Sequence, residues 1–377
     1  MIVERLELVD FRNYPAATFQ LTSGTTVVIG DNGQGKTNVA EALAYLASLS
    51  SFRGAPADAL VRVGAHAAII RAHLRDDDGR ASLIEAELVP TGRNRVQVNR
   101  QRLSRARDLL GVVRVTVFSP DDLALVKGGP GDRRRFLDDT LVALGVKYDA
   151  ARLELDRIVR QRNTLLRQLG GRLDDVAATT LDVWDARFAQ AGDRFGFARA
   201  TLVDRITPHV GEAYLDLAGR PTDLELGYSA PWRAAGLASS LAEARVADVR
   251  RGVSTVGPHR DEVVLAIAGM PARTHASQGE QRTLALAMRL AAHRLVAERT
   301  GSTPVLVLDD VLSELDQGRA TALLHHLPPG QVVITTAASV PAAARPERVI
   351  RVHGGSVVDD GLGPEAATFV GEQDRAS

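Results

Sequence analysis

Apolar and polar residues alternate in short runs over the first hundred positions, whereas the middle of the chain repeats with a helical period. The alternation predicts strands separated by turns, of which Asp76-Asp77-Asp78-Gly79 is one. The strands predicted in this first part cover residues 3–11, 25–29, 67–74, 82–88 and 95–98. Strand texture returns near residue 253, with a hairpin at Gly269-Met270 and later strands at 305–308, 332–335 and 349–352. The pattern indicates an α/β fold interrupted by a mainly helical segment.

The helical segment predicts a second domain inserted into the first. Its apolar stripe runs from about residue 133 to 169 as one helix of about 38 residues if unbroken, Gly170-Gly171 interrupts it, and 181–209 resumes it. A chain of 377 residues allows about two domains. We expect a first part of the main domain at 1–125, the helical insertion at 126–252, the second part at 253–365, and a disordered tail at 366–377.

The segment GDNGQGKT meets every position of the phosphate-binding loop pattern, and it stands between a β-branched strand and a helical pattern. Glycines let backbone N–H groups curl around an anion, and the start of the helix adds partial positive charge. Lys36 is one of only three lysines in the chain, and it can reach the β- and γ-phosphates, while the Thr37 hydroxyl can bind Mg²⁺. The residues predicted to contact nucleotide here are Gly30, Asp31, Asn32, Gly33, Gln34, Gly35, Lys36 and Thr37.

Two carboxylates supply the second half of a nucleotide site. Four consecutive apolar residues at 305–308 predict a strand buried on both faces, and Asp309 and Asp310 follow at its carboxyl end. Asp309 would hold Mg²⁺ through its water shell. Asp310 would then be free to orient or deprotonate the attacking water.

A third motif begins a long helical pattern at Ser277. Ser277 and Glu280 have the spacing of a capping box, so the motif alone is consistent with a capped helix and nothing more. The acidic strand comes next, and Ser313-Glu314-Leu315-Asp316 follows it. This order resembles that of ATP-binding-cassette (ABC) ATPases. The resemblance implies an ABC-type head in which Ser277, Gly279 and Glu280 of one subunit contact ATP bound by the other, so that ATP joins a homodimer.

Within that superfamily the chain resembles the RecF family over essentially its whole length. The residues that carry the resemblance are 8–14 (LVDFRNY), 118–123 (FSPDDL), 133–138 (RRRFLD) and 257–261 (GPHRD). The resemblance implies a weak, Mg²⁺-dependent ATPase that clamps DNA as a dimer at single-strand gaps or stalled forks, with RecR, RecO and RecA as partners. The chain departs from the general cassette pattern at Gln278, at Glu280 and at Thr335-Thr336, where a switch histidine often stands, so the sensor of the γ-phosphate is left open.

Composition agrees with a cytoplasmic protein and gives only local support for DNA binding. The chain has no cysteine, no charged-then-apolar leader and no apolar run of 18 residues, so we expect neither a disulfide framework nor a membrane segment. Its 46 basic and 46 acidic residues cancel. Between residues 93 and 114, however, one acid stands against seven arginines, which are Arg93, Arg95, Arg100, Arg102, Arg105, Arg107 and Arg114.

The arginine-rich stretch, followed by Arg133-Arg134-Arg135, could neutralise DNA phosphates, or it could be an ordinary solvated face. No aromatic residue lies within 93–114, so backbone contact is favoured over base stacking. We take Arg102, Arg105 and Arg107 as the DNA candidates.

Histidines offer two further candidate sites. His259 could form a turn or contact nucleotide, and His325-His326 fits a helix end better than a metal site. The alternative function is the engine subunit of a membrane transporter with no role on DNA; the helical insertion and the arginine-rich stretch argue against it.

Overall fold

The structure is a computed structural model that describes residues 1–337, 340 and 342–362. The tail expected at 366–377 lies outside the described residues. The strands are β1 (Ile2–Phe11), β2 (Tyr14–Gln20), β3 (Thr25–Ile29), β4 (Ala68–Arg75), β5 (Ala81–Leu88), β6 (Arg95–Val98), β7 (Gln101–Arg102), β8 (Val115–Phe118), β9 (Leu224–Ser229), β10 (Glu262–Ile267), β11 (Met270–Pro271), β12 (Val305–Asp309), β13 (Val332–Thr336), β14 (Arg348–His353) and β15 (Ser356–Leu362). The helices are α1 (Lys36–Ser48), α2 (Ala57–Leu60), α3 (Ala124–Lys127), α4 (Pro130–Leu144), α5 (Lys147–Gln168), α6 (Asp175–Ala218), α7 (Leu237–Arg251), α8 (Ala272–His275), α9 (Gln278–Thr300) and α10 (Gln317–His325).

The chain folds into two compact units, and the first is made of Met1–Leu123, Glu212–Pro221 and Arg282–Ser377. One of its sheets has the order β15-β14-β3-β13-β12-β8, in which β14, β3, β13, β12 and β8 are parallel and β15 is antiparallel to β14. The phosphate-loop strand β3 and the acidic strand β12 therefore flank β13. Because the carboxyl ends of parallel strands lie at one edge, this order brings the loop and the two carboxylates together.

A second, antiparallel sheet of this unit has the order β2-β1-β4-β5-β6-β7. Buried and partly exposed positions alternate along β4, as expected for a sheet with one face in the core. The core combines this face with α1 and with the parallel sheet, as shown by Leu6, Ile70, Leu43, Val307 and Val333 in one cluster of buried residues. The helix that carries Lys36 is thus held by apolar packing to both sheets.

The second unit is made of Ala124–Gly211 and Thr222–Gln281. It contains a sheet of order β11-β10-β9 and most of the helices. Arg162 is fully buried there, where it donates to Asp185 at 2.6 Å, to Asp248 at 2.7 Å and to Ser254 at 2.8 Å. This buried network joins α5, α6, α7 and the segment after α7.

The observed units differ from the expected division at two places: residues 212–221, expected in the insertion, belong to the first unit, and residues 253–281, expected in the main domain, belong to the second. The reason for the second difference is that β10 pairs with β9 along six residues, a contact between distant segments that local texture does not reveal. The helix expected at 133–169 if unbroken is in fact broken, since α4 ends at Leu144 and α5 begins at Lys147. The longer helix is α6, with 44 residues and a length of about 66 Å. Among the described residues, no helix is both long and apolar enough to cross a membrane.

Candidate nucleotide-binding site

The phosphate loop has glycine at two positions of positive φ, and at one of them a side chain would also clash. Gly33 and Gly35 have φ values of 81° and 116°, in the region that glycine enters at little cost. A Cβ atom on Gly35 would lie 2.7 Å from Asn13 Oδ1 and 2.7 Å from Tyr14 Oη. On Gly33, by contrast, it would meet nothing within 4 Å. The loop therefore packs closely at Gly35 and is open at Gly33.

Lys36 lies at the start of α1 and is nearly buried, with 6% of its surface exposed. Its Nζ donates to the carbonyl oxygens of Gly30 at 2.7 Å and of Asp31 at 2.8 Å. Burial lowers the pKa of this ammonium group, and the charges of Asp310, Asp309 and Asp31 oppose that effect. The loop carbonyls hold the ammonium group beside the phosphate loop. A phosphate bound there can replace these carbonyl oxygens as the hydrogen-bond partner of Lys36.

Hydrogen bonds of Gln34 link the phosphate loop to neighbouring segments of the chain. Its side-chain Oε1 accepts from the backbone N–H of Gly354 at 2.7 Å, and its carbonyl oxygen accepts from Asn13 Nδ2 at 2.9 Å. Asn13 also accepts from Asn38 Nδ2 at 2.8 Å. The Gln34 side chain is thus engaged by the β14–β15 turn, and only its backbone is left for the nucleotide contact that the sequence predicts.

A buried ion pair anchors α1 behind the loop. Glu41 is completely buried and accepts from Arg12 Nε at 2.7 Å and Nη2 at 2.7 Å, and it also accepts from the Ser51 hydroxyl. The third arm of Arg12 donates to the carbonyl oxygen of Ala59 at 2.9 Å. Sequence reasoning missed this ion pair, whose two members lie 29 residues apart.

The two carboxylates lie where β12 ends. Asp309 is 3% exposed, and its Oδ1 accepts from the Thr335 hydroxyl at 2.6 Å. Burial raises the pKa of Asp309, while hydrogen bonds from Thr335 and Thr37 act in the opposite direction. The Thr37 hydroxyl and the Asp309 carboxylate, both predicted to serve Mg²⁺, are therefore in direct contact.

Asp310 has a strained backbone and an unsatisfied side-chain oxygen. Its φ of 51° is left-handed, and its N–H donates to the carbonyl oxygen of Thr335 at 3.0 Å. Its Oδ1 is buried with no hydrogen-bond partner. A buried carboxylate oxygen without a donor is costly unless a ligand completes it, so these residues fit a site for Mg²⁺ and a polarised water. The oxygen donors at hand, a hydroxyl and carboxylates, are those that Mg²⁺ prefers.

The motif at Ser277 forms the capping box that its spacing predicts. The backbone N–H and hydroxyl of Ser277 donate to Glu280 Oε2 at 2.9 and 2.8 Å, and Ser277 Oγ accepts from the N–H of Glu280 at 3.3 Å. Ser277, Gly279 and Glu280 belong to the second unit, whereas the phosphate loop and both acids belong to the first. Glu280 therefore has a structural role in addition to any contact with nucleotide.

The arginine-rich segments differ in how far their side chains are exposed. Arg102, Arg105 and Arg107 are exposed on β7 and the turn after it. The triple at 133–135 is different, and its reading as a phosphate-binding cluster is wrong for two of three residues. Arg133 is buried against Glu262 at 2.8 Å, and Arg134 donates to the carbonyl oxygen of Asp261 at 2.7 Å, because both residues face the interior of the second unit.

His259 packs inside the second unit. Its Nε2 lies 3.0 Å from the carbonyl oxygen of Ser254 and its ring lies 5.7 Å from that of Phe188. Burial lowers the pKa of His259 to about 4. These contacts support the turn interpretation. His325 ends α10, and His326 Nδ1 is 2.9 Å from the carbonyl oxygen of Ala322, as expected of a helix end.

Comparison with known proteins agrees with this geometry. The family model described as the RecF/RecN/SMC N-terminal domain matches residues 2–354. The DNA replication and repair protein RecF of Streptomyces avermitilis is 45% identical over 353 residues, which cover 90% of this chain and 94% of the relative. The RecF protein of Kineococcus radiotolerans is 43% identical over 383 residues, covering 94% and 97%.

Solved structures give the same result. The recombination mediator protein RecF with ATP, of the RecFOR pathway, is 27% identical with a TM-score of 0.87, covering 96% of this chain and 97% of that one. The Smc head domain of Pyrococcus furiosus, at 17% identity and a TM-score of 0.58 over 99% of both chains, shows the fold alone. The expected fold, an α/β head of the ABC ATPase type, is confirmed. With its phosphate loop and acidic strand placed as that fold requires, the chain belongs to the RecF family, within the wider RecF/RecN/SMC family of N-terminal domains.

Proposed function

We propose that this protein is an ATP-gated DNA clamp of recombinational repair, in which two copies close around ATP and slow hydrolysis releases them. The observation that carries the proposal is the meeting of Lys36, Thr37, Asp309 and the unsatisfied Asp310 at the carboxyl ends of neighbouring parallel strands. The RecF relatives and the RecF structure with ATP support the same function.

Each nucleotide-site residue of the first unit would have its own chemical task. The backbone N–H groups of the loop and Lys36 bind the β- and γ-phosphates, and Thr37 and Asp309 would hold Mg²⁺, which neutralises phosphate charge when bound. Asp310 Oδ1 accepts a proton from the attacking water and orients it toward the γ-phosphate.

The second half of each site would come from the partner subunit. The N-terminus of α9 carries a partial positive charge, and Ser277, Gly279 and Glu280 lie there, with the Glu280 N–H capped by the Ser277 hydroxyl. Because ATP would contact both subunits, it would act as the joint of the homodimer. A protein that lacks this contact would still bind ATP through its own phosphate loop but would not dimerise.

DNA binding would follow from the joining of two basic surfaces. Arg102, Arg105 and Arg107 are exposed at the surface of the first unit, where DNA phosphates would reach them. The RecFOR pathway named for the solved RecF supports RecR and RecO as partners. A role in placing RecA at single-strand gaps is what the family resemblance implies. Membership of the RecF family favours this function over the transporter alternative.

Salt dependence of DNA binding tests this proposal. With ATP, log affinity should fall linearly with log salt, with a slope of about −0.9 per duplex phosphate neutralised or about −0.7 on single strands. Reversal of Arg102, Arg105 and Arg107 to Glu should weaken binding to all sequences and flatten the slope while ATP binding is retained. The matched control reverses three exposed arginines of α5, Arg157, Arg160 and Arg167. Equal DNA affinity with and without ATP would refute the clamp, and an unchanged slope in the first triple variant would place the DNA surface elsewhere.

A further inference from the structure

Thr335 occupies the centre of the catalytic edge. It lies next to last in β13, between the phosphate-loop strand and the acidic strand, and it is completely buried. It is also one of the two residues, Thr335-Thr336, that stand where the cassette pattern often has a switch histidine. Its hydroxyl contacts both carboxylate residues, and no other side chain of the described residues has a recorded hydrogen bond to both.

The hydrogen bonds of Thr335 leave its hydroxyl no proton to donate to another group. A threonine hydroxyl has one proton to donate and lone pairs to accept with. The proton goes to Asp309 Oδ1 at 2.6 Å, and a lone pair accepts from the N–H of Asp310 at 3.2 Å. The same N–H donates to the carbonyl oxygen of Thr335 at 3.0 Å. Thr335 could donate to a γ-phosphate only by releasing Asp309.

The contact to Asp309 becomes more important when nucleotide is bound. In the structure Asp309 accepts from both Thr37 and Thr335. The Thr37 oxygen is the predicted Mg²⁺ ligand of the phosphate loop, so its contact with Asp309 would be rearranged by the metal. Thr335 faces Asp309 from the neighbouring strand and can keep its bond, which fixes the carboxylate rotamer. Groups that orient a metal-binding carboxylate in this way change metal affinity by about 10- to 100-fold.

The contact to Asp310 restrains its backbone. A left-handed φ in a residue other than glycine persists only where surrounding structure enforces it. The two hydrogen bonds from the Asp310 N–H to Thr335 are such a restraint, and Ser313 adds a third by donating to the Asp310 carbonyl oxygen at 2.8 Å. Asp310 Oδ1 is thereby held buried and without a protein donor.

We propose that Thr335 is a positioning residue that orients Asp309 for Mg²⁺-nucleotide and holds Asp310 in its strained conformation, and that it does not sense the γ-phosphate. This inference rests on the proposed ATP site and adds to it a residue with one defined task. Removing the hydroxyl would leave the buried Asp309 Oδ1 without its donor, whereas shortening the side chain to serine would not.

Mg²⁺ titrations of nucleotide binding test the inference. The variants are Thr335→Val, which is close in shape, Thr335→Ala, which also lacks the hydroxyl but avoids crowding, and Thr335→Ser as the matched control. A fluorescent ATP analogue is titrated with Mg²⁺ at fixed nucleotide, and again in EDTA, and thermal melting without nucleotide checks folding. We expect the Mg²⁺ concentration for half-maximal binding to rise about 10- to 100-fold in the valine and alanine variants. In EDTA, the valine and alanine variants should bind nucleotide as the unmodified protein does. The serine variant should match the unmodified protein in both titrations.

The possible outcomes distinguish a failure of the role proposed for Thr335 from a failure of the proposed ATP site. If the unmodified protein shows no Mg²⁺-dependent nucleotide binding, the proposed ATP site fails. Suppose instead that the unmodified protein does show Mg²⁺-dependent nucleotide binding. If a folded valine or alanine variant then has the same Mg²⁺ dependence as the unmodified protein, Thr335 does not position Asp309. A serine variant as impaired as the alanine variant would likewise overturn the role of the hydroxyl.

Discussion

Replacing Gly35 by alanine should destroy the phosphate loop, and the structure gives the size of the effect. A left-handed φ costs a residue other than glycine about 1–2 kcal/mol. At Gly35 the new Cβ atom would also lie 2.7 Å from Asn13 Oδ1 and from Tyr14 Oη, and overpacking of this kind costs about 1–3 kcal/mol. The sum is about 2–5 kcal/mol, and because 1.4 kcal/mol is a factor of ten, it predicts a loss of ATP affinity of at least about 30-fold.

Gly33→Ala is the matched control, because Gly33 has a similar φ but no atom within 4 Å of the added Cβ. It carries only the backbone cost, so ATP affinity should fall about tenfold. The assay is calorimetric or fluorescence titration of each variant with Mg²⁺-ATP, alongside melting curves without nucleotide. Equal losses in the two variants, or full affinity in Gly35→Ala, would refute the argument that Asn13 and Tyr14 shape the loop.

Two further predictions concern the acidic pair and the buried histidine. Asp310→Asn should keep ATP and trap the dimer, whereas Asp309→Asn should weaken Mg²⁺-ATP binding itself; equal loss of nucleotide from both, in binding assays, would show that these roles are wrongly assigned. His259 has its pKa lowered from 6.5 to about 4, so the unfolded chain binds a proton before the folded one and stability is lost as pH falls from 6.5 towards 4. Between pH 7.5 and 5 this costs about 2 kcal/mol, which His259→Asn should remove from the pH dependence of urea unfolding, while the exposed His66→Asn should not; an unchanged dependence in His259→Asn would contradict the burial argument.

The parts of the site that could be predicted from sequence are local ones. A strand, a glycine loop and a helix are consecutive, so Lys36 and Thr37 were placed by their own neighbours, and Asp309 by the apolar run before it. The capping box at Ser277 and Glu280 spans three residues and was likewise readable. Each of these features is defined by residues that lie only a few positions apart in the sequence.

The parts that could not be predicted depend on contacts between distant segments. An acid in a helix ordinarily faces water, and Glu41 is buried only because Arg12 reaches it from the β1–β2 turn. Charge alone likewise gave no sign that Arg133 pairs with Glu262, which lies 129 residues away. The tether from Gln34 to Gly354 spans 320 residues. Periodicity and composition carry no information about such partners.

The central claim is that ATP joins two heads by contacts made in trans, and sedimentation of a Ser277→Arg protein tests it most directly. The unmodified protein should be a monomer without nucleotide and a dimer with Mg²⁺-ATP, and Lys36→Ala should stay monomeric because it cannot hold ATP. Ser277→Arg should bind ATP almost normally as a monomer yet fail to dimerise, since Ser277 lies in the second unit and would act on the partner's nucleotide. Dimerisation of Ser277→Arg with ATP, or loss of its monomeric ATP binding, would contradict the account.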